Sequence, residues 1–288
     1  MKNRIGIIGC GFVGSSLRAG LEPSHNLNVF DKYNPNLSTV TSLPQLVNQS
    51  DILFVCLPTP MKKTGECDIS LVRDTIISID DISQQSGSGN KIIVIKSTVP
   101  PGTTKRLQSE TSSKCSVIFN PEFLTEANHI EDFKNQKRII LGGDGCKEAL
   151  IQVKSMYMKQ FPTVPYVLCG SLEAEITKYF CNCFLATKVS FANEMKQYCD
   201  AVGADYERVV ESSIYDDRVG KSHLAVPGPD GHNGFGGSCF PKDINALIFS
   251  MKQQGLNSVL LSAVWDKNLE VRPEKDWESL KGRAVTDG

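Results

Sequence analysis

The 288-residue sequence has no apolar run approaching the ~20 residues that span a bilayer, which excludes a membrane-spanning helix. It has no surplus of either charge. The 31 Lys and Arg stand against 32 Asp and Glu, a net charge of −1, so neither a nucleic acid nor an anionic membrane is expected as a partner; both call for a strong basic excess. Histidine is scarce and scattered (His25, His129, His223, His232), and the ten cysteines contain no Cys-x-x-Cys pair. A structural zinc site is therefore not expected, and no metal is assigned. No internal repeat is present, and a targeting segment is not expected. The apolar stretch Ile5–Cys10 begins almost at the first residue and reads as a strand, not as a signal-peptide core. The expectation is a cytoplasmic protein with reduced cysteines, most of them small buried hydrophobes.

What is present is ordinary globular material, 40% hydrophobic and 22% charged, with length for two domains. Val/Ile-rich runs at Arg4–Gly9, Leu27–Asp31, Ile52–Leu57, Lys91–Ile95, Ser116–Asn120 and Arg138–Gly142, with Tyr166–Cys169 as a seventh, alternate with helix-compatible stretches. That alternation predicts a doubly wound parallel sheet. Gln84–Asn90 reads as a polar turn. From Ser171 to about Val202 there is neither Pro nor Gly, which predicts one long helix with Ser171 as its N-cap and Glu173 and Glu175 favouring its dipole. Further helices are expected at Tyr206–Ser213, Ile244–Gly255 and Ser258–Leu269, with a Gly-rich loop at Pro227–Gly237. The fold class is α/β: a Rossmann-like doubly wound sheet over residues 1–170, an all-α domain with a long central helix over 171–270, and a polar stretch over 271–288.

Gly9-Cys10-Gly11-Phe12-Val13-Gly14 follows the first strand and opens a helix, and Asp31 ends the second strand 20 residues beyond Gly11. Such glycines allow a tight turn and close approach to a pyrophosphate, whose charge the helix N-terminus favours. An acid at Asp31 accepts hydrogen bonds from a ribose diol and repels a 2′-phosphate. This favours NAD over NADP, with Lys32 beside it acting in the opposite sense. FAD uses the same fingerprint, so the motif alone specifies a dinucleotide and no chemistry.

Four other motifs carry reactive groups, each with a bland alternative. In Gly236-Gly-Ser-Cys239-Phe-Pro-Lys242-Asp243, the cysteine is either an accessible nucleophile near a helix start and Lys242 or a buried structural thiol. Lys178 and Asn182, four apart, share a helix face that either holds a developing oxyanion or is simply solvated. In Asn120-Pro-Glu122-Phe123-Leu124-Thr-Glu126, the acids are general-base candidates at the sheet's carboxyl edge, or helix-dipole acids. Leu57-Pro58-Thr59-Pro60 and Lys96-Ser97-Thr98 offer hydroxyls at the same edge, or turn residues.

Taken in order, the fingerprint, LPTP, STVPPGTT, NPEFLTEA, the ExxKYxxN helix, DDRVG and GFGGSCFPKD resemble the UDP-glucose/GDP-mannose dehydrogenase family from about Arg4 to Leu269. The resemblance implies four-electron oxidation of a nucleotide sugar, UDP-glucose to UDP-glucuronate, with two NAD consumed. It makes Cys239 the nucleophile that forms a thiohemiacetal and then a thioester. It makes Lys178 and Asn182 the oxyanion pair, Asp243 the group that activates water or thiol, Glu122 an acid/base, and Thr98 a positioner of water. The cofactor would meet residues 9–14, Asp31, Lys32, Leu57, Pro58, Thr59, Ser97, Thr98, Glu126 and Lys242. The substrate would meet Glu122, Phe123, Leu124, Lys178, Asn182, Arg218, Phe235, Gly236 and Cys239. A homodimer through the 171–202 helix is implied as well.

Two departures stand out. Lys221–Asn233 is some residues longer than in typical members, which bears on the sugar-binding loop. Typical members also continue into a third, Rossmann-like domain that binds the nucleotide. Here Arg272–Gly288 follows instead, with Trp277 expected to pin it to the body. A GDP-mannose or other nucleotide-sugar 6-dehydrogenase, a two-electron β-hydroxyacid-type dehydrogenase, and a non-catalytic NAD-binding partner are the competing readings.

Overall fold

The structure is a computed structural model and describes residues 4–286. The chain divides into two compact units. The first takes the described residues up to Thr59 together with Ile69–Lys178; the second takes Pro60–Asp68 and the described residues from Tyr179 onward.

In the first unit the elements run β1 (Arg4–Ile8), α1 (Phe12–Leu21), β2 (Asn26–Phe30), α2 (Leu43–Gln49), β3 (Ile52–Val55), α3 (Ser70–Ser86), β4 (Lys91–Ile95), α4 (Thr103–Glu110), β5 (Cys115–Phe119), α5 (His129–Lys134), β6 (Ile139–Gly142), α6 (Lys147–Met158) and β7 (Tyr166–Cys169). They form one seven-stranded sheet in the order β2-β1-β3-β4-β5-β6-β7. Strand residues alternate between the two sheet faces. Ile52, Phe54, Ile92 and Val94 enter one core cluster, and Leu53, Val55, Ile93 and Ile95 enter the other. Covered on both faces, these central strands are apolar apart from Lys91 at the start of β4.

The sheet is mostly parallel, as expected, with one reversal. β6 meets β5 antiparallel, through the pair Phe119–Gly142, and β7 pairs with β6 in parallel. A four-residue apolar run carries no sign of its direction, so the reversal leaves no trace in periodicity. Two local readings also change. The turn expected at Gln84–Asn90 begins later, because α3 continues to Ser86 and Gly87 ends it with a left-handed φ of +61°. Ser171 is the first helical residue and not the N-cap: Gly170 accepts the first backbone bond, from Ala174, and the Ser171 hydroxyl donates to Asp144.

Helix α7 (Ser171–Val202) starts in the first unit and supplies most of its length to the second. There it is joined by α8 (Tyr206–Ser213), α9 (Phe240–Gln253) and α10 (Val259–Val271). α9 starts at Phe240, four residues before the expected Ile244, since Pro241 falls in its first turn, where a missing N–H costs nothing. One core of this unit gathers Cys183, Ala186, Phe235, Ile244 and Val264. The short segment Met61–Cys67 closes on itself by a β-bridge, and Met61 also bridges Val285. No described helix is long and apolar enough to cross a membrane. The described residues contain no group of three or more His, Cys, Asp or Glu placed to hold a metal.

Candidate active site

The sheet order places β1 between β2 and β3, so the chain leaves the sheet in opposite directions on either side of the β1/β3 crevice, where ligands of doubly wound folds bind. The glycine fingerprint follows β1. Gly9 has φ +85°, and a Cβ there would stand 2.5 Å from the Cys56 carbonyl oxygen. A Cβ on Gly14 would stand 2.0 Å from the Gly9 oxygen, while Gly11 has nothing within 4 Å and leaves its backbone open to approach. Gly11 is the N-cap of α1 and brings no capping side chain. Asp31 is fixed beside this loop: one carboxylate oxygen accepts from the Cys10 N–H at 2.7 Å, and the other accepts from the Tyr33 and Asn34 N–H groups. An uncapped helix N-terminus, an unobstructed Gly11 and a fixed carboxylate fit a dinucleotide. Phe12, Val13 and Lys32 flank the loop, with Phe12 and Lys32 exposed.

The loops after β3 and β4 are latched to each other. The Ser97 hydroxyl donates to the Leu57 carbonyl at 2.6 Å and accepts from its N–H at 2.9 Å; the Thr59 hydroxyl donates to the Thr98 carbonyl at 2.8 Å. The hydroxyls of Ser97 and Thr59 thus set backbone shape, and Pro58 is the exposed point of the turn.

After β5 comes a buried charge cluster. The Lys178 ammonium donates to Glu122 Oε1 at 3.0 Å and to the Glu122 carbonyl at 2.7 Å, and the Leu124 N–H donates to Glu122 Oε2 at 2.7 Å. Burial acts to raise the Glu122 carboxyl, but Lys178 and the Leu124 N–H outweigh it and hold it below the usual carboxylate range. Lys178 also lies 5.4 Å from the centre of the Phe123 ring, which carries Arg138 at 4.1 Å on it. Glu126, on the same loop, is exposed.

Lys96 and Asn120, which the sequence motifs contain without a role, also belong to this cluster. Lys96 is buried, donates to Asn120 Oδ1 at 3.1 Å, and is pushed down to about 8 by burial. Asn120 is fixed in turn by the Tyr157 hydroxyl and by its own bond to the Ile140 carbonyl. Glu175 departs from its expected role. Instead of favouring the dipole of its own helix it caps α4, accepting from the Gly102 and Thr104 N–H groups and the Thr104 hydroxyl.

In the second unit Cys239 is the N-cap residue of α9. Four residues on, Asp243 is 1% exposed; it accepts from the Asn182 amide at 2.6 Å and is paired with Lys242. Burial works to lower Lys242, and the Asp243 and Cys239 charges reverse that and raise it. The ammonium is therefore fully charged beside the thiol, at the positive end of a helix, where a sulfur nucleophile is favoured. Burial pushes the Cys56 and Cys115 thiols up to about 12.

Two expected substrate residues differ in their surroundings. The Phe235 ring is in the core, and the Arg218 side chain, 89% exposed, is paired with Asp216. The structure thus groups Glu122 with Lys178, and Asn182 with Asp243, Lys242 and Cys239. It spends the hydroxyls of Ser97 and Thr59 on loop shape.

Comparison with known proteins gives one consistent pattern. Residues 21–161 match the description "UDP-glucose/GDP-mannose dehydrogenase family, NAD binding domain", and residues 172–270 match the central domain of that family. The UDP-glucose 6-dehydrogenase TuaD of Bacillus subtilis is 35% identical over 94% of this chain, which spans 60% of that protein. A UDP-glucose dehydrogenase structure from Pyrobaculum islandicum superposes with a TM-score of 0.86 at 30% identity, covering 97% of this chain and 71% of that one. A 3-hydroxyisobutyrate dehydrogenase from Mycobacterium tuberculosis, 16% identical with a TM-score of 0.75, shares the fold alone; the match covers 96% of this chain and 95% of that one.

Proposed function

The chain belongs to the UDP-glucose/GDP-mannose dehydrogenase family, and from that premise we propose that it oxidises the 6-hydroxymethyl group of UDP-glucose to a carboxylate through a covalent intermediate on Cys239. The observation that carries this reading is the placement of Cys239 at the N-terminus of α9, beside Lys242 and the buried Asn182–Asp243 pair.

NAD, held by the Gly9–Gly14 loop and Asp31, supplies the chemistry of accepting a hydride, twice per sugar. The chain's own residues do the rest. The first oxidation removes a hydride and a proton from the CH₂OH carbon and hydroxyl. Cys239 sulfur then adds to the aldehyde carbon, which prevents its escape, and gives a thiohemiacetal. Loss of the second hydride and the hydroxyl proton leaves a thioester. Water attacks this carbonyl, the carbon–sulfur bond breaks, and the thiol regains its proton. Asn182 and Lys178 are assigned the oxyanions, since a fixed amide and a cation stabilise charge that develops in the transition state. Glu122, kept ionised by Lys178, is assigned the removal of the proton from water, and Asp243 the holding of Asn182 and Lys242.

With purified protein, NAD and UDP-glucose, two NADH should form per uronate, and Cys239→Ser should give no uronate. One NADH per product, or uronate from the serine variant, overturns the covalent route; turnover of GDP-mannose in preference to UDP-glucose would reassign the substrate.

The partner proposed is a second copy of this chain. Phe180, Phe184, Phe191 and Tyr198 are exposed at spacings of four, seven and seven along α7, an apolar stripe that a second copy of the helix would cover. Light scattering should give a dimer that Phe184→Asp dissociates.

A further inference from the structure

Gly236-Gly-Ser-Cys239 is held by residues that lie beyond the family match at residue 270. After α10 the chain turns back through a short 3₁₀ helix, Asp276–Ser279. Asp276 Oδ2 accepts from the Gly237 N–H at 3.0 Å, and Asp276 Oδ1 accepts from Arg272 Nε at 2.6 Å. Arg272 is almost wholly buried; it also donates to Asp230 and to the Asn233 carbonyl, which lie in the Pro227–Gly237 loop. Asn268, fully buried, grips Phe235 by both backbone groups, at 2.7 and 2.9 Å.

The pair also packs on the motif itself. A Cβ on Gly236 would stand 2.4 Å from both Arg272 Nη2 and Asp276 Oδ1, so the Arg272–Asp276 pair lies directly against the first glycine of GGSC. Rings continue the attachment. Trp277 packs at 5.2 Å, tilted by 53°, against Trp265, which meets Phe235, which meets Phe240 edge-on at 6.0 Å. Phe235 and Phe240 bracket the cysteine loop. Arg283 then donates to the Ser238 hydroxyl at 3.3 Å, and Ala284 accepts from the Met61 N–H.

We propose that residues 272–286 form a strap that positions the nucleophile loop, with Asp276 as its central positioning residue: the carboxylate, oriented by Arg272, fixes the Gly237 peptide and so the place of Cys239 at the start of α9. The proposal rests on the reading of Cys239 given above for its catalytic consequence, but its geometric content is tested separately. Asp276 touches neither substrate nor cofactor in this scheme; it acts through Gly237.

The test measures the alkylation rate of Cys239 by iodoacetamide, read on the Cys239 peptide by mass spectrometry, alongside kcat and KM for NAD. In Asp276→Ala the Cys239 rate should fall at least fivefold, because the released loop leaves the helix N-terminus and Lys242. The kcat should fall at least tenfold with KM for NAD within twofold of wild type. Asp276→Asn, which keeps an oxygen for the Gly237 N–H but turns an amide N–H towards Arg272 Nε, should recover part of both losses. Wild-type alkylation in Asp276→Ala overturns the strap, as does an equal loss in the Asn variant. Should Asp276→Ala not fold, Arg283→Ala, an exposed change, decides: a twofold or greater fall in Cys239 alkylation supports the strap, and an unchanged rate overturns it. If wild-type protein oxidises no nucleotide sugar, the proposed function fails while the alkylation comparison still decides the positioning claim.

Discussion

Replacing Lys178 by Met removes one charge from a pair whose side chains are only 4% and 10% exposed. The methionine fills similar volume, so the main effect is electrostatic: Glu122 is left as a buried carboxylate. Breaking a buried pair by removing one partner costs about 3–5 kcal/mol. Glu122 keeps the Leu124 N–H at 2.7 Å and the nearby positive charge of Lys96, which places the expected loss at the low end, about 3 kcal/mol at pH 7.

The sign with pH follows from the direction of the shift. In the wild type the Glu122 carboxyl is held down, so its contribution is present above the unfolded carboxyl value and is lost as pH falls through the lowered one. In the Met variant burial prevails and the carboxyl moves up, so the deficit against wild type should narrow as the pH is lowered towards 4. Adding Glu122→Gln to Lys178→Met removes the stranded charge and should recover more than half of the loss. Urea melts followed by far-UV circular dichroism are the assay, because both tryptophans, Trp265 and Trp277, lie in the second unit and report on that one. A Lys178→Met variant within 1 kcal/mol of wild type at pH 7, on the scale of a solvated surface pair, would refute the buried-pair reasoning. A deficit that widens in acid would do the same.

Gly14→Ala drives a Cβ to 2.0 Å from a backbone oxygen that cannot rotate away; it should cost about 1–3 kcal/mol and weaken NAD binding at least tenfold in a calorimetric titration. Lys96, lowered to about 8 by burial, binds its proton less tightly folded than unfolded. Stability relative to Lys96→Met should therefore rise as the pH is raised from about 8 towards the ordinary lysine value, by up to roughly 3 kcal/mol; melts at pH 7.5 and 9.5 that show no relative gain would contradict this.

Much of the fold is legible because hydrophobic runs and glycine placement are local signals. The β4 and β7 boundaries stand where the Val/Ile runs put them, and α7 spans the stretch without Pro or Gly. Direction is not local, which is why the reversal at β6 went unread. At the candidate site, motifs were visible where the side chains are those proposed to take part in the chemistry: Cys239, Lys178, Asn182, Asp243 and Glu122. Residues that act through backbone groups were not. Asn120, Asn268 and Asp276 each grip a peptide or a lysine 24 to 39 positions away, and no spacing rule marks such a contact. The one available hint was Arg272–Asp276, an oppositely charged i,i+4 pair that is indistinguishable in sequence from a solvated surface pair.

The bridge between Met61 and Val285 has a bearing on the order in which the molecule is made. Met61 donates its N–H to the Ala284 carbonyl at 2.8 Å and accepts from the Thr286 N–H at 2.9 Å. During synthesis the 60–68 segment leaves the ribosome more than 200 residues ahead of these partners (284 − 61 = 223). Until they emerge, the segment has only its own local bonds, such as Lys62 N–H to the Glu66 carbonyl, and the Met61 N–H and carbonyl lack these two partners. The second unit thus cannot be completed as a nascent fragment, nor recovered as a contiguous piece beginning at Tyr179. Closing so long a span costs roughly 3 kcal/mol more than closing a ten-residue loop, and the chain meets that cost only once residues 284–286 have emerged.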